Sequence, residues 1–219
     1  MKVTYFLEVL SSWCHWAEPT WDALKSRYAG RVEFDWKIAL MRPEDFPVSA
    51  EQTEWFYNRS GGTVMHSSYK LNTGWFDPNL KGDYRAPNLV AEAARGLGAE
   101  GDEVRRAIAV AGVREGLKMG DIDAAVAVAA KAGKIPPKKL KAAALSAAVA
   151  ERVAASTALF FAHQISQRPA FIVQDLIGDK AIFSGLVKLE PLAATIDAML
   201  SDTAAYAAHT AHHGNPPEA

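Results

Sequence analysis

A single cysteine, Cys14, occurs in this chain of 219 residues, so no disulfide can form within it, structural or catalytic. That excludes a dithiol oxidase working through its own cysteine pair, and it makes a reducing, cytoplasmic setting the expectation. No excess of either charge is present: 24 basic and 25 acidic residues leave a net charge of −1. The chain therefore has no global field to gather nucleic acid or an anionic membrane surface. No apolar run approaches the roughly 18–20 residues of a membrane span. The residues after Met1 lack the apolar core and small-residue cleavage site of a secretory signal. A glycine-rich phosphate loop, a zinc spacing and a basic-aromatic stripe are all missing, so no nucleotide, metal or nucleic-acid partner is expected. His209, His212 and His213 cluster near the end, but no carboxylate or cysteine is patterned around them.

What is present alternates in character along the chain. Residues 3–10 read as a strand. Residues 12–28 carry Trp13, Trp16, Trp21, Leu24 and Tyr28 near helical spacing and close at Ala29-Gly30. Residues 32–38 alternate apolar and charged, a second strand, so the opening predicts a right-handed parallel βαβ unit. From residue 41 to 84 aromatics accumulate (Trp55, Phe56, Tyr57, Tyr69, Trp75) among Gly61-Gly62, Gly74 and Pro78. A short helix fits residues 50–59. The rest reads as ordered loop that packs on the core or closes as a lid, with His66 and Trp75 as candidate lid residues.

Residues 87–164 are alanine-rich and helical. Pro87 suits a first turn, Gly96 and Gly98 an end, Asp102 and Asp121 fresh starts, and Pro136-Pro137 the opening of one long helix over 138–163. Residues 170–174 and 180–184 flank Gly178-Asp179 as a hairpin. Residues 190–200 form a last helix, and 206–219 show no core pattern and read as disordered.

Chemistry concentrates at Ser11-Ser12-Trp13-Cys14, where strand gives way to helix. Free N–H groups and the positive end of the helix dipole stabilise an anion there, although a serine at such a junction also serves as an ordinary N-cap. Three places carry a resemblance: this S-x-x-C junction with Pro19 eight residues after Ser11; Gln167-Arg168-Pro169 ahead of a strand; and Phe183-Ser184-Gly185-Leu186-Val187-Lys188. The chain resembles the DsbA-like thioredoxin-fold superfamily, which includes FrnE-type oxidoreductases, kappa-class glutathione transferases and 2-hydroxychromene-2-carboxylate isomerases.

The resemblance implies an α/β, thioredoxin-like fold with a large all-helical insertion between its βαβ and ββα halves. Residues 1–42 and 164–202 would form the thioredoxin-like domain, 43–163 the aromatic segment and helical insertion, and 203–219 a disordered tail. Ser11 takes the attacking-cysteine position, where the transferases and isomerases use serine to hydrogen-bond the glutathione sulfur. Cys14 takes the resolving position, in a secondary role. Pro169 matches a cis-proline facing the helix N-terminus, and Arg168 before it is suited to bind a carboxylate in bidentate fashion. Ser12, Trp13 and His15 join the substrate site. Lys188 is what remains of the family's glycine-turn glutathione contact, read G-S-D-R in the kappa transferases and Gly185-Leu186-Val187-Lys188 here.

The expected activity is that of an oxidoreductase relative acting on a small thiol or thiol-linked substrate, with glutathione as the cofactor in view. A glutathione-dependent isomerase or transferase and a non-catalytic binding module are the alternatives. The resemblance also allows a homodimer formed through the helical insertion.

Overall fold

The computed structural model describes residues 1–185 and 188–214, which leaves Leu186, Val187, Pro216 and Pro217 outside it. The chain runs β1 (Lys2–Leu7), α1 (Ser12–Arg27), β2 (Glu33–Ile38), α2 (Ala50–Tyr57), α3 (Arg85–Gly96), α4 (Glu103–Val113), α5 (Ile122–Gly133), α6 (Pro137–Ala144), α7 (Ala147–Ala162), β3 (Ala170–Gln174), β4 (Lys180–Ser184) and α8 (Leu189–His213). The four strands form one mixed sheet in the order β2-β1-β3-β4. β1 and β2 pair in parallel, and the other two pairings are antiparallel. This is the expected thioredoxin-like arrangement, with α3 to α7 inserted between its two halves.

The central strand β1 places Tyr5 opposite Trp36 on one neighbour and Phe171 on the other. The Tyr5 ring stacks on Phe171 with centroids 4.9 Å apart and leans on Trp21 of α1 at 5.2 Å, so α1 is pressed onto the sheet by aromatic packing. β1 stops at Leu7 rather than continuing to residue 10. The N–H groups of Val9 and Leu10 go instead to the Asn88 and Glu8 side chains at 3.1 and 2.9 Å, which turns the backbone out of the sheet.

A buried ion cluster ties α1 to α4. Arg105 is only 3% exposed; its guanidinium lies over the rings of Tyr5 and Trp36 and pairs with Asp102 and Glu18. Asp102 also accepts from the Trp21 indole at 3.0 Å and the Lys25 ammonium at 2.6 Å. That explains why Asp102 precedes α4 without capping it: its carboxylate is turned inward.

Two stretches differ from the sequence reading. The single helix expected over 138–163 is two, α6 and α7, bent by 57°. Ser146 breaks it because its hydroxyl accepts from the Val149 N–H at 3.3 Å and starts a new helix. The tail read as disordered is helical as far as His213. Ala204, Ala205, Ala207, Ala208 and Ala211 supply the strongest helix propensity, which outweighs the missing apolar stripe, and Gly214 closes the helix at φ 78°.

Arg105→Met leaves Asp102 and Glu18 without their buried cation, with the partly exposed Arg106 as the one they still share. Unfolding in urea should show a loss of about 3 kcal/mol, the scale for breaking a buried ion pair. A loss under about 1 kcal/mol would mean that the cluster is effectively solvated.

Candidate active site

The N-terminus of α1 opens into a cavity of about 810 Å³. Leu10, Ser11, Ser12 and Trp13 form one wall, with Ile165 to Arg168 and Gly185 on the β3 side. Phe56, Tyr57, Trp75 and Phe161 supply aromatic surface, while Arg42, Arg59 and Asp45 add charge. Ser11 is the N-cap and lines the cavity as well: its hydroxyl accepts from the Cys14 N–H at 3.4 Å and keeps a proton to donate, toward the cavity or to the Cys14 sulfur beside it. The amides of Ser12 and Trp13 have no acceptor among the described residues, so the helix end presents two further donors.

Cys14 lies behind this surface. It is 3% exposed, and burial pushes its thiol up to about 12, so the sulfur stays protonated at neutral pH. Its Sγ accepts a weak hydrogen bond from the Glu8 N–H at 3.5 Å.

Glu8 was not singled out in the sequence. It is fully buried; its carboxylate takes the Leu10 N–H at 2.9 Å and the Asn88 amide, and its carbonyl takes the Ser11 N–H at 3.1 Å. Burial raises the carboxyl to about 7, against the pull of these donors and of Arg168. One signal was available, an acid closing an otherwise apolar strand. Asn88, 80 positions away, gave none.

The remaining expected residues divide. Ser11, Ser12, Trp13 and Arg168 share the cavity. Arg168 does not stand ready as a bidentate carboxylate clamp, because Nε and Nη2 donate to the carbonyls of Ala39 and Leu40 and the guanidinium lies 4.4 Å over the Phe160 ring. At 9% exposure it contributes fixed positive charge and at most its Nη1 face. The Arg168–Pro169 peptide is cis, but Pro169 is buried and does not line the cavity; its carbonyl accepts from the Gly185 N–H at 2.7 Å.

His15 turns away as well. It sits 3.1 Å from the Tyr69 hydroxyl and against Trp16, and burial, aided by Arg114, lowers it to about 4. It is a packed, neutral imidazole rather than a solvated substrate contact. Lys188 is exposed at the start of α8, and His66 is exposed at φ 49°; neither lines the cavity. The aromatic segment likewise splits, Phe56, Tyr57 and Trp75 walling the cavity while Tyr69 covers the back of α1. Among the described residues no group of three His, Cys, Asp or Glu side chains is placed to hold a metal ion.

A family model of the DSBA-like thioredoxin domain matches residues 2–197. The chain belongs to that family. Solved structures of comparable shape include a candidate protein disulfide isomerase from Nitrosomonas europaea, 16% identical at a TM-score of 0.74, covering 92% of this chain and 98% of that one. The cytosolic disulfide reductase DsbM from Pseudomonas aeruginosa is 17% identical at 0.70, covering 92% and 99%. A 2-hydroxychromene-2-carboxylate isomerase is 13% identical at 0.64, covering 94% and 99%. At these identities the likeness is one of fold. No curated protein matches the sequence.

Two outcomes follow. An aromatic disulfide reagent should leave Cys14 unmodified in the native protein at neutral pH and label it fully in denaturant; rapid native labelling would show that the thiol is reached. For Glu8, the folded-state value is raised, so the stability it contributes is complete below about 4.5 and is lost as pH rises through about 7. Wild type should therefore lose stability relative to Glu8→Gln between about pH 5 and 8, by up to about 3 kcal/mol. Parallel pH profiles for the two proteins would contradict this.

Proposed function

We propose that this chain is an enzyme that borrows its reactive sulfur: it binds a small thiol at the N-terminus of α1, holds it as a thiolate through Ser11, and acts on a thiol-linked substrate in the aromatic cavity. The observation that carries this reading is the division of labour in the S-x-x-C site. Ser11 faces the cavity, whereas Cys14 is buried behind it with its thiol held protonated. A protein dithiol cannot form, so electrons or nucleophilicity must come from the ligand. A hydroxyl donor, two amides without an acceptor among the described residues and the nearby charges of Arg59 and Arg168 favour the ionised sulfur over the neutral one, Arg42 being paired with Asp45.

Glutathione is the thiol proposed. The neighbouring disulfide reductase DsbM has been seen with GSH, and a reducing compartment would supply such a thiol. Of the reactions open to a bound thiolate, addition, transfer or isomerisation fits best, because none needs a second protein thiol. The presence of a 2-hydroxychromene-2-carboxylate isomerase among the structural neighbours is in keeping with that branch. A site that only binds would keep its affinity when the Ser11 hydroxyl is removed.

Isothermal titration with reduced glutathione tests the proposal. Saturable binding, weakened about tenfold in Ser11→Ala together with a raised pKa of the bound thiol, is the expected result. Absent binding, or affinity and thiol pKa unchanged in the variant, would remove Ser11 from the chemistry.

A further inference from the structure

Tyr57 closes α2 with its side chain 7% exposed, and its ring belongs to the cavity wall. The Trp75 indole N–H donates to its hydroxyl oxygen at 2.5 Å. An indole nitrogen can only donate, so the direction of that bond is fixed, and the Tyr57 proton must point elsewhere. No acceptor among the described residues takes it. The Glu8 carboxyl receives Asn88 and the Leu10 N–H but no hydrogen bond from Tyr57, and the Tyr84 hydroxyl is engaged by both backbone groups of Asp77. A buried O–H without an acceptor is costly, and the open space beside this one is the cavity.

We propose that Tyr57 is a recognition residue of the cavity, donating its hydroxyl hydrogen bond to a carbonyl oxygen on the bound ligand, with Trp75 as the positioning residue that orients it. Burial, together with the negative charge of Glu8, raises the phenol well above its ordinary value, so it keeps its proton and acts as a donor rather than an acid. With its acceptor side filled by Trp75, the group reads an acceptor and gives nothing to a ligand that offers only a donor. The selectivity belongs to the cavity itself and does not require the thiol reading, so it would stand if glutathione failed to bind.

The test uses acetylnaphthalene and its isopropenyl analogue, which share a shape and differ by an oxygen in place of a methylene. Equilibrium dialysis of both against the wild-type protein should favour the ketone by about tenfold. Tyr57→Phe should bring that ratio close to one while leaving the affinity for the alkene unchanged, and Trp75→Phe should lower it part of the way by freeing the hydroxyl to turn. A packing role alone would shift both affinities together and leave the ratio intact. Three results would overturn the proposal: no preference in the wild type, a preference that survives Tyr57→Phe, or no binding of either probe. Should Tyr57→Phe fail to fold, the wild-type ratio and the Trp75→Phe ratio decide the matter.

Discussion

Everything at the mouth of α1 depends on one buried carboxyl. Glu8 and its partner Asn88 absorb the backbone groups of the turn that leads into the helix: Val9, Leu10 and Ser11 each give their N–H to one of these two residues. Buried polar backbone left without such partners would be costly, so the turn has one conformation, and that conformation sets where Ser11 stands. Asn88 belongs to α3. The helical insertion is therefore part of the site's scaffold and not an appendage to it.

The arginines show how burial changes what a charge is for. Arg105 is consumed by two carboxylates and two aromatic rings, Arg168 by two carbonyls and the rings of Phe160 and Phe161. Each joins segments far apart in sequence, and each is spent on structure. Arg59 is different: it lies over Trp55 and Phe56, and no carboxylate among the described residues pairs with it, so its charge remains available to the cavity. The same residue type serves as strut or as ligand-facing charge according to how much of its donor fork the protein has already filled.

Local physics made much of the fold legible. Strand alternation at 32–38, the Gly178-Asp179 hairpin and the cap at Asp121 are short-range signals, and the structure follows them. The break at Ser146 was missed because alanine periodicity runs straight through it, and a single hydroxyl cap redirects a helix without disturbing that pattern. At the site, Ser11 was visible from its junction. Burial depends on contacts from elsewhere in the chain, so the inward turn of His15, the diversion of Arg168 and the depth of Cys14 could not be read from their neighbours. Tyr57 was hidden for a related reason, since its meaning comes from Trp75, 18 positions on.

Arg168 also has a topological consequence. Its guanidinium joins the carbonyls of residues 39 and 40 to the entry of β3, positions 129 and 128 apart. The chain between is in effect a ring closed beside the cavity and tied to the sheet and α1 at further points such as Asn88 and Arg105. Lengthening a ring of that size adds little to its closure entropy, roughly 0.6 kcal/mol per doubling. The exposed turn at Leu145, ahead of the Ser146 cap, can thus gain residues while the closure holds its place, whereas the connection from α4 to α5 is fixed by its buried Met119. Growth can occur at the rim of this molecule without reaching its centre.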